Sequence, residues 1–451
     1  MTSPFAVRGM IEGFYGVYYT PPERHSLLRF LGKHGYSLYV YAPKNDRQHR
    51  ARWRQPYPAG VMAQFAAAIR VAGEAGVDFC YALSPGADVC YNSVADFAAM
   101  TAKFAAFSHL GVRTFSLLLD DILPDFQHEA DREHYRSYAE AHADLCNRVH
   151  RWLKDLDTAC TLSMCPTDYH GVAPFSPYLH ELGERLHPDI DIFYTGPQVC
   201  SSRVLASDAA AFARAARRPP LIWDNYPVND GGMEREMHIG PIRGRDASLA
   251  GAVKGVVVNT MIQPEASKIS LLTFADFFAD PEGYDPESSW GRALREVAGR
   301  ESAATLRLFA ENSLHSCLGT PEAETLERLV WGALAALQRG EGVTGPEVRT
   351  LAEYLDALDE ACYHLKYHMD NLALRNELLP WLELLEGWLW LGRHALEVLA
   401  AQEAGEPFER PLGAMNEELA KAQRHPKRVA GTALVPLADF VRAQVERGVR
   451  V

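Results

Sequence analysis

The stretch FSLLLDDILPD, residues 115–125, is almost wholly apolar until it reaches two adjacent carboxylates, Asp120 and Asp121, and then turns away. Successive residues of a strand face opposite ways with Cα atoms about 3.8 Å apart, so both carboxylates can reach one pocket only if the backbone bends at the pair. Repulsion and partial burial are expected to push one carboxyl up in pKa while hydrogen bonds keep its neighbour ionised. That would place an acid and an anion side by side. The bland explanation, a helix N-cap with an acidic first turn, is poor here: Pro124 follows Asp121 by three residues, and no helical period begins before about Asp131.

Carboxylate pairs are the equipment of glycoside hydrolysis, with the two groups about 5–5.5 Å apart in retaining enzymes and about 6.5–9.5 Å apart in inverting ones, one on each side of the scissile bond. Neighbours in sequence cannot easily flank a sugar from both faces. They suit a reaction in which the substrate's own 2-acetamido group attacks the anomeric carbon. One Asp then orients and stabilises the charged acetamido nitrogen, while the other protonates the leaving oxygen and later deprotonates water.

Such a pair needs a scaffold. Eight β-rich runs alternate with helical patterns up to about residue 280: VRGMIEGFYG, SLYVYAPK, VDFCYALSPG, RTFSLLLDD, ACTLSMCPTDY, DIDIFYTG, PLIWDN and KGVVVNTM. The intervening segments carry apolar residues at spacings of three and four, and several stop at a glycine, as at Gly35, Gly76 and Gly111, where a C-cap is expected. Near-continuous apolar strands joined by helical crossovers predict a parallel sheet, and eight such units fit a (β/α)8 TIM barrel over residues 1–285. A doubly wound open sheet is the alternative, but no glycine-rich phosphate fingerprint follows the first strand. Residues 286–451 read as helical throughout and predict an all-α C-terminal bundle.

A barrel carries its chemistry where its strands end. The strand ends here offer Gly13, Lys44, Asp120 with Asp121, Tyr169, Asn225 with Asp230, and Asn259. Trp223 fits either a pocket wall that stacks on a sugar or a residue of the barrel core.

The composition narrows the partners. A net charge of −13 over 451 residues argues against nucleic acid. The most apolar long stretch, residues 378–401, contains Glu383, Glu386, Arg393 and Glu397 and predicts a core helix, with no membrane partner. Eight scattered cysteines and the absence of a His pair at any strand end give no sign of a metal or other cofactor. The opening MTSPFAVRGMIEGFYG has no basic segment ahead of an apolar run, so a cytoplasmic address is expected.

In this order, EGFYG, YVYAPKNDRQHRARWRQPYP, LLLDDI, CPTDY, YTGPQV, WDNYPVND and NTMIQPEASKIS resemble glycoside hydrolase family 84, over roughly residues 7–280. The resemblance implies removal of terminal β-linked GlcNAc, with Ser or Thr of proteins or peptides as the aglycone. It implies retention through an oxazoline intermediate. Asp120 would hold the acetamido group and Asp121 would serve as general acid and base. Gly13, through its backbone, and Lys44 would contact sugar hydroxyls, and Tyr169 would bond near the reacting centre. Asn225 would bind the acetamido region, Asp230 the 4- and 6-hydroxyls, and Asn259 would add a polar contact. In some relatives the helical domain helps form a homodimer. A hyaluronidase-like endo-acting hexosaminidase and a catalytically silent GlcNAc-binding protein are the competing readings.

Overall fold

The computed structural model describes residues 3–448. Its eight strands are β1 (Val7–Glu12), β2 (Leu38–Tyr41), β3 (Asp78–Leu83), β4 (Thr114–Leu118), β5 (Thr161–Cys165), β6 (Asp191–Tyr194), β7 (Leu221–Asp224) and β8 (Gly255–Asn259). All pair in parallel in sequence order, and β1 pairs with β8 to close the barrel, Val7 opposite Gly255 and Ile11 opposite Asn259. Closure leaves no sheet edge.

Helices Pro21–Lys33, Ala59–Glu74, Val94–His109, Tyr138–Leu156, Pro177–Arg185 and Ala206–Ala216 return the chain after the first six strands, and Pro264–Ala279 follows β8. Gly35, Gly76 and Gly111 lie just past the first three of these helices with φ of 74°, 71° and 100°, left-handed turns that a side chain would resist. Two details depart from the sequence reading. The helical pattern that begins near Asp131 is split: one helix, Glu129–His134, ends and Ser137 starts another by accepting a hydrogen bond from Glu140 N at 3.0 Å. Between β7 and β8 there is no α-helix, only the 3-10 turns Gly231–Met233 and Ala247–Gly251, since that segment is rich in Gly and Pro and has no helical period.

The chain divides into two compact units: Met1–Gly231 with Ile242–Ser289, and Gly232–Pro241 with Trp290–Val451. Within the second unit, Trp290 Nε1 donates to Ile239 O at 2.7 Å and Trp381 Nε1 to Arg235 O at 2.9 Å, which fastens the excursion 232–241 to the helices. The apolar stretch 378–401 lies in the helix Leu372–Ala404, which buries Trp381, Leu385, Trp388 and Leu389. Among the described residues no helix is long and apolar enough to cross a membrane.

Alternation along the barrel strands sorts their side chains into two layers. Ile11, Ala42, Leu118, Phe193, Trp223 and Val257 belong to one buried cluster in the interior. Residues of opposite parity meet the helices. Glu12, fully buried there, accepts from Arg24 Nε and Nη2 (3.0 and 2.9 Å), from Tyr19 N (2.9 Å) and from the Tyr39 hydroxyl. Asp224 takes both ends of the Arg245 fork at 2.5 and 2.8 Å. These strand-end carboxylates hold helices and loops to the barrel. Replacing Glu12 by Ala strands the buried Arg24 cation and should cost about 3–5 kcal/mol in denaturant unfolding; a loss under about 1 kcal/mol would contradict this role.

Candidate active site

On six of the eight strands one more step of two carries the interior row to the C-terminal end of the sheet or just beyond it. Ile11 leads to Gly13, Ala42 to Lys44, Leu118 to Asp120, Phe193 to Thr195, Trp223 to Asn225 and Val257 to Asn259, and every one of these end positions lines the same cavity of about 230 Å³. That cavity lies at the C-terminal mouth of the barrel, with Asp121, Tyr169, Trp223 and Asp230 completing the nine residues singled out by sequence. Tyr15, Cys165, Val199, Cys200 and Val228 also line it.

Asp121 has the wrong parity for this row. It reaches the cavity because its backbone is left-handed, with φ of 53°, a conformation Asp tolerates better than most residues. The bend sits on a fixed base: Leu119 N donates to Cys165 O at 2.9 Å, and Thr167 Oγ1 donates to Leu119 O at 2.9 Å. No helix starts at the pair.

The two carboxylates have different surroundings. Asp120 is 5% exposed, and its Oδ2 accepts from Lys44 Nζ at 2.5 Å. Its other oxygen, Oδ1, is buried without a hydrogen-bond partner among the described residues. Burial disfavours the Lys44 cation, but Asp120 and Asp121 more than compensate and raise its pKa. The ammonium also lies 5.7 Å from the centre of the Trp223 ring.

Asp121 is the more open carboxylate. Its Oδ2 accepts from the Tyr15 hydroxyl at 2.8 Å and its Oδ1 from the Tyr169 hydroxyl at 3.0 Å. Burial alone would raise its pKa; Lys44, the two phenols and Arg50 outweigh that and hold it below the usual carboxylate range. The sequence led us to expect one member of the pair to be kept ionised by hydrogen bonds, without saying which. Lys44 and the phenol donors, which sequence spacing does not show, make Asp121 that member.

The opposite wall is a connected polar network. Asn225 Oδ1 accepts from Trp223 Nε1 at 2.8 Å and from Asn259 Nδ2 at 2.9 Å, while Asn225 Nδ2 donates to Val199 O at 2.8 Å. Gly13 N donates to Asn259 Oδ1 at 3.2 Å. A Cβ at Gly13 would stand 2.7 Å from Trp223 Cζ2, so only glycine lets the tryptophan close this wall. Trp223 is thus both pocket wall and barrel core. Asp230 Oδ2 accepts from Tyr15 N at 2.7 Å, and burial raises its pKa.

Other strand-end acids stay out of the cavity. Asp46 is held by the hydroxyls of Tyr41 and Tyr57, each at 2.7 Å, and Asp168 by Ser176. Sequence reasoning missed Tyr15 and Arg50. Both lie in loops beyond β1 and β2, where no periodicity assigns a direction to a side chain. Among the described residues the one group with the makings of a metal site, His150, His187 and Asp189, lies outside the cavity at the other end of the strands, its two imidazoles stacked at 4.4 Å.

A parallel barrel with an adjacent carboxylate pair at the mouth of its strands fits a glycoside hydrolase, the class that comparison with known proteins supports. The family model for beta-N-acetylglucosaminidase matches residues 8–311, and the chain belongs to that family, glycoside hydrolase family 84. The protein named Protein O-GlcNAcase in Rattus norvegicus is 34% identical over 275 residues, 60% of this chain and 30% of its own length. This chain thus spans less than a third of that relative. The solved structure of a mutant O-GlcNAc hydrolase from Thermobaculum terrenum aligns with a TM-score of 0.90 at 32% identity, covering 98% of this chain and 96% of that one. The structure of CpGH84B aligns at 0.85 and 29% identity, over 98% and 77% of the two chains.

The left-handed backbone at Asp121 gives a direct expectation. Asp121→Gly relieves the clash that any Cβ makes there, so it should be more stable than Asp121→Ala by about 1 kcal/mol in chemical denaturation. The reverse order would show that the bend is unstrained.

Proposed function

We propose that this chain hydrolyses a terminal β-linked N-acetylglucosamine with retention, using the substrate's acetamido oxygen as the nucleophile and an oxazoline as the intermediate. The observation that carries the reading is Asp120 Oδ1, a buried carboxylate oxygen with no donor, beside an Oδ2 already fixed by Lys44. A buried acceptor without a donor is costly, and the acetamido N–H of a bound sugar supplies one. As that oxygen attacks the anomeric carbon, positive charge grows on the nitrogen, and Asp120 is already oriented to stabilise it. Asp121 gives a proton to the leaving oxygen, then accepts one from the water that opens the oxazoline on the same face.

Asp230 supports exo action. It stands the length of Tyr15 away from Asp121, tied to that residue's backbone while the hydroxyl holds the acid. There it serves as acceptor for the 4- and 6-hydroxyls and closes the non-reducing side, with Asn225 and Trp223 around the acetamido methyl and Asn259 beside them on the same wall. The names of the relatives point to O-GlcNAc on protein Ser or Thr as the substrate class. A reducing, cytoplasmic setting fits the eight free cysteines.

Two measurements test this. Asp121→Ala should leave GlcNAc binding nearly intact and slow glycosides with poor leaving groups by about 10²–10⁴, with little effect on activated aryl glycosides. Asp120→Ala should lose about 10²–10³ even on activated ones. Near-normal turnover of an activated GlcNAc aryl glycoside by both would contradict the roles.

The pH dependence follows from the Asp121 environment. The free carboxyl lies below its ordinary range and so is ionised at neutral pH. A sugar that covers it and removes water must raise its pKa before it can act as an acid. Binding an unreactive thio-linked GlcNAc glycoside near neutral pH should therefore take up protons, read by calorimetry in buffers of different ionisation heat. The basic limb of kcat should lie at higher pH than that of kcat/KM. Proton release on binding, or limbs in the opposite order, would refute this.

A further inference from the structure

Asp121 is gripped by more than its partner phenol Tyr169. Tyr15, in the loop after β1, donates its hydroxyl to Asp121 Oδ2 at 2.8 Å, while Arg50, in the loop after β2, donates Nη1 to the same hydroxyl oxygen at 2.6 Å. Arginine has no acceptor. With its oxygen occupied by that cation, the Tyr15 phenol can only aim its own proton at the carboxylate. The Arg50 guanidinium lies 5.3 Å from the Tyr15 ring centre, and its Nη2 reaches Asp121 O at 3.4 Å, so one side chain braces both the phenol and the bent backbone. The chain Arg50–Tyr15–Asp121 is a polarised sequence of charge-assisted bonds.

We propose that Tyr15, backed by Arg50, is a positioning residue that fixes Asp121 as an oriented anion and sets how readily that carboxylate takes up the catalytic proton. The proposal rests on the reading of Asp121 as the general acid. Neither residue has to touch the anomeric centre for this role. Tyr15 also donates its backbone N–H to Asp230 at 2.7 Å, so the same residue spans the distance between the acid and the acceptor at the far side of the sugar.

Other groups face Asp121 as well. Asp120 precedes it, Lys44 approaches from the end of β2, and Cys165 and Tyr169 come from the end of β5. Asp230 faces it from beyond β7. Of these, Lys44 already serves Asp120, and Cys165 is a buried thiol that burial keeps protonated. Tyr169 donates to the other oxygen, without a cation on its phenol among the described hydrogen bonds. Tyr15 and Arg50 are therefore the pair whose removal alters the Asp121 anion while leaving the cavity floor alone.

The test follows Asp121 in the free protein by carboxyl ¹³C NMR and follows the pH profile of kcat/KM on a GlcNAc aryl glycoside with a poor leaving group. It compares wild type, Tyr15→Phe and Arg50→Gln, with Asp121→Ala as the control. Tyr15→Phe should move the Asp121 titration and the basic limb of kcat/KM upward by about one pH unit, and Arg50→Gln should move both by less in the same direction. A uniform loss of rate with the titration and the limb unmoved would mean that Tyr15 only shapes the pocket, and would overturn the proposal. If Asp121→Ala itself keeps turning over the poor substrate, it is the general-acid reading that falls. A fixed limb alongside an inactive Asp121→Ala counts against the Tyr15–Arg50 role alone.

Discussion

The buried ion pair between Lys44 and Asp120 sets the terms for the rest of the site. Two charges removed from water are tolerable only when their geometry is good and their remaining valences are met. Here one carboxylate oxygen meets the ammonium at 2.5 Å, and the other is left without a donor. Among the described residues nothing claims that second oxygen, so it is open to a donor on a ligand. On the proposed reading, the amide N–H of a neutral sugar is that donor in the ground state, and an oxazolinium-like nitrogen is a better one. Binding that strengthens as charge develops is what lowers a barrier.

This pair exists because of barrel arithmetic. A closed parallel barrel fixes the parity of every strand, and on six of the eight the residue two steps past an interior side chain reaches the same cavity whether it is catalytic or not. Gly13, Lys44, Asp120, Thr195, Asn225 and Asn259 are there for the same geometric reason that Ile11, Ala42, Leu118, Phe193, Trp223 and Val257 fill the core. Asp121 is the exception, and its positive φ is the cost of adding a second carboxylate from the wrong parity on the same side of the cavity. Glu12 and Asp224, on the outward parity, show what acids at these strand ends do otherwise: they bind Arg24 and Arg245 and hold the outer layer.

Much of this could be read from residue order alone. Eight apolar runs between helical periods gave the strands, and polar residues at their ends pointed to the rim, because a two-residue period is a local property. The helix break at Tyr135–Ser137 needed the cap at Ser137 to be recognised, and the missing seventh helix needed a Gly- and Pro-rich segment to be weighed against the rhythm of the fold. The excursion 232–241 into the second unit left no mark, since its backbone carbonyls rather than its side chains receive Trp290 and Trp381. Tyr15 and Arg50 could not be assigned because loop residues have no parity. Which member of the pair is kept ionised was not legible for a related reason: like charges adjacent in sequence were visible, whereas the cation and phenols brought to them from three other loops were not.

On the proposed reading the sugar's own amide oxygen is the nucleophile, and the twin carboxylates serve it from one side. The most direct test of that reading is the rate on GlcNAc aryl glycosides whose N-acetyl group carries zero, one, two or three fluorines. A steep, progressive fall in kcat/KM as the carbonyl oxygen loses electron density is the predicted result. A flat series would contradict the account and return the search for a nucleophile to the protein.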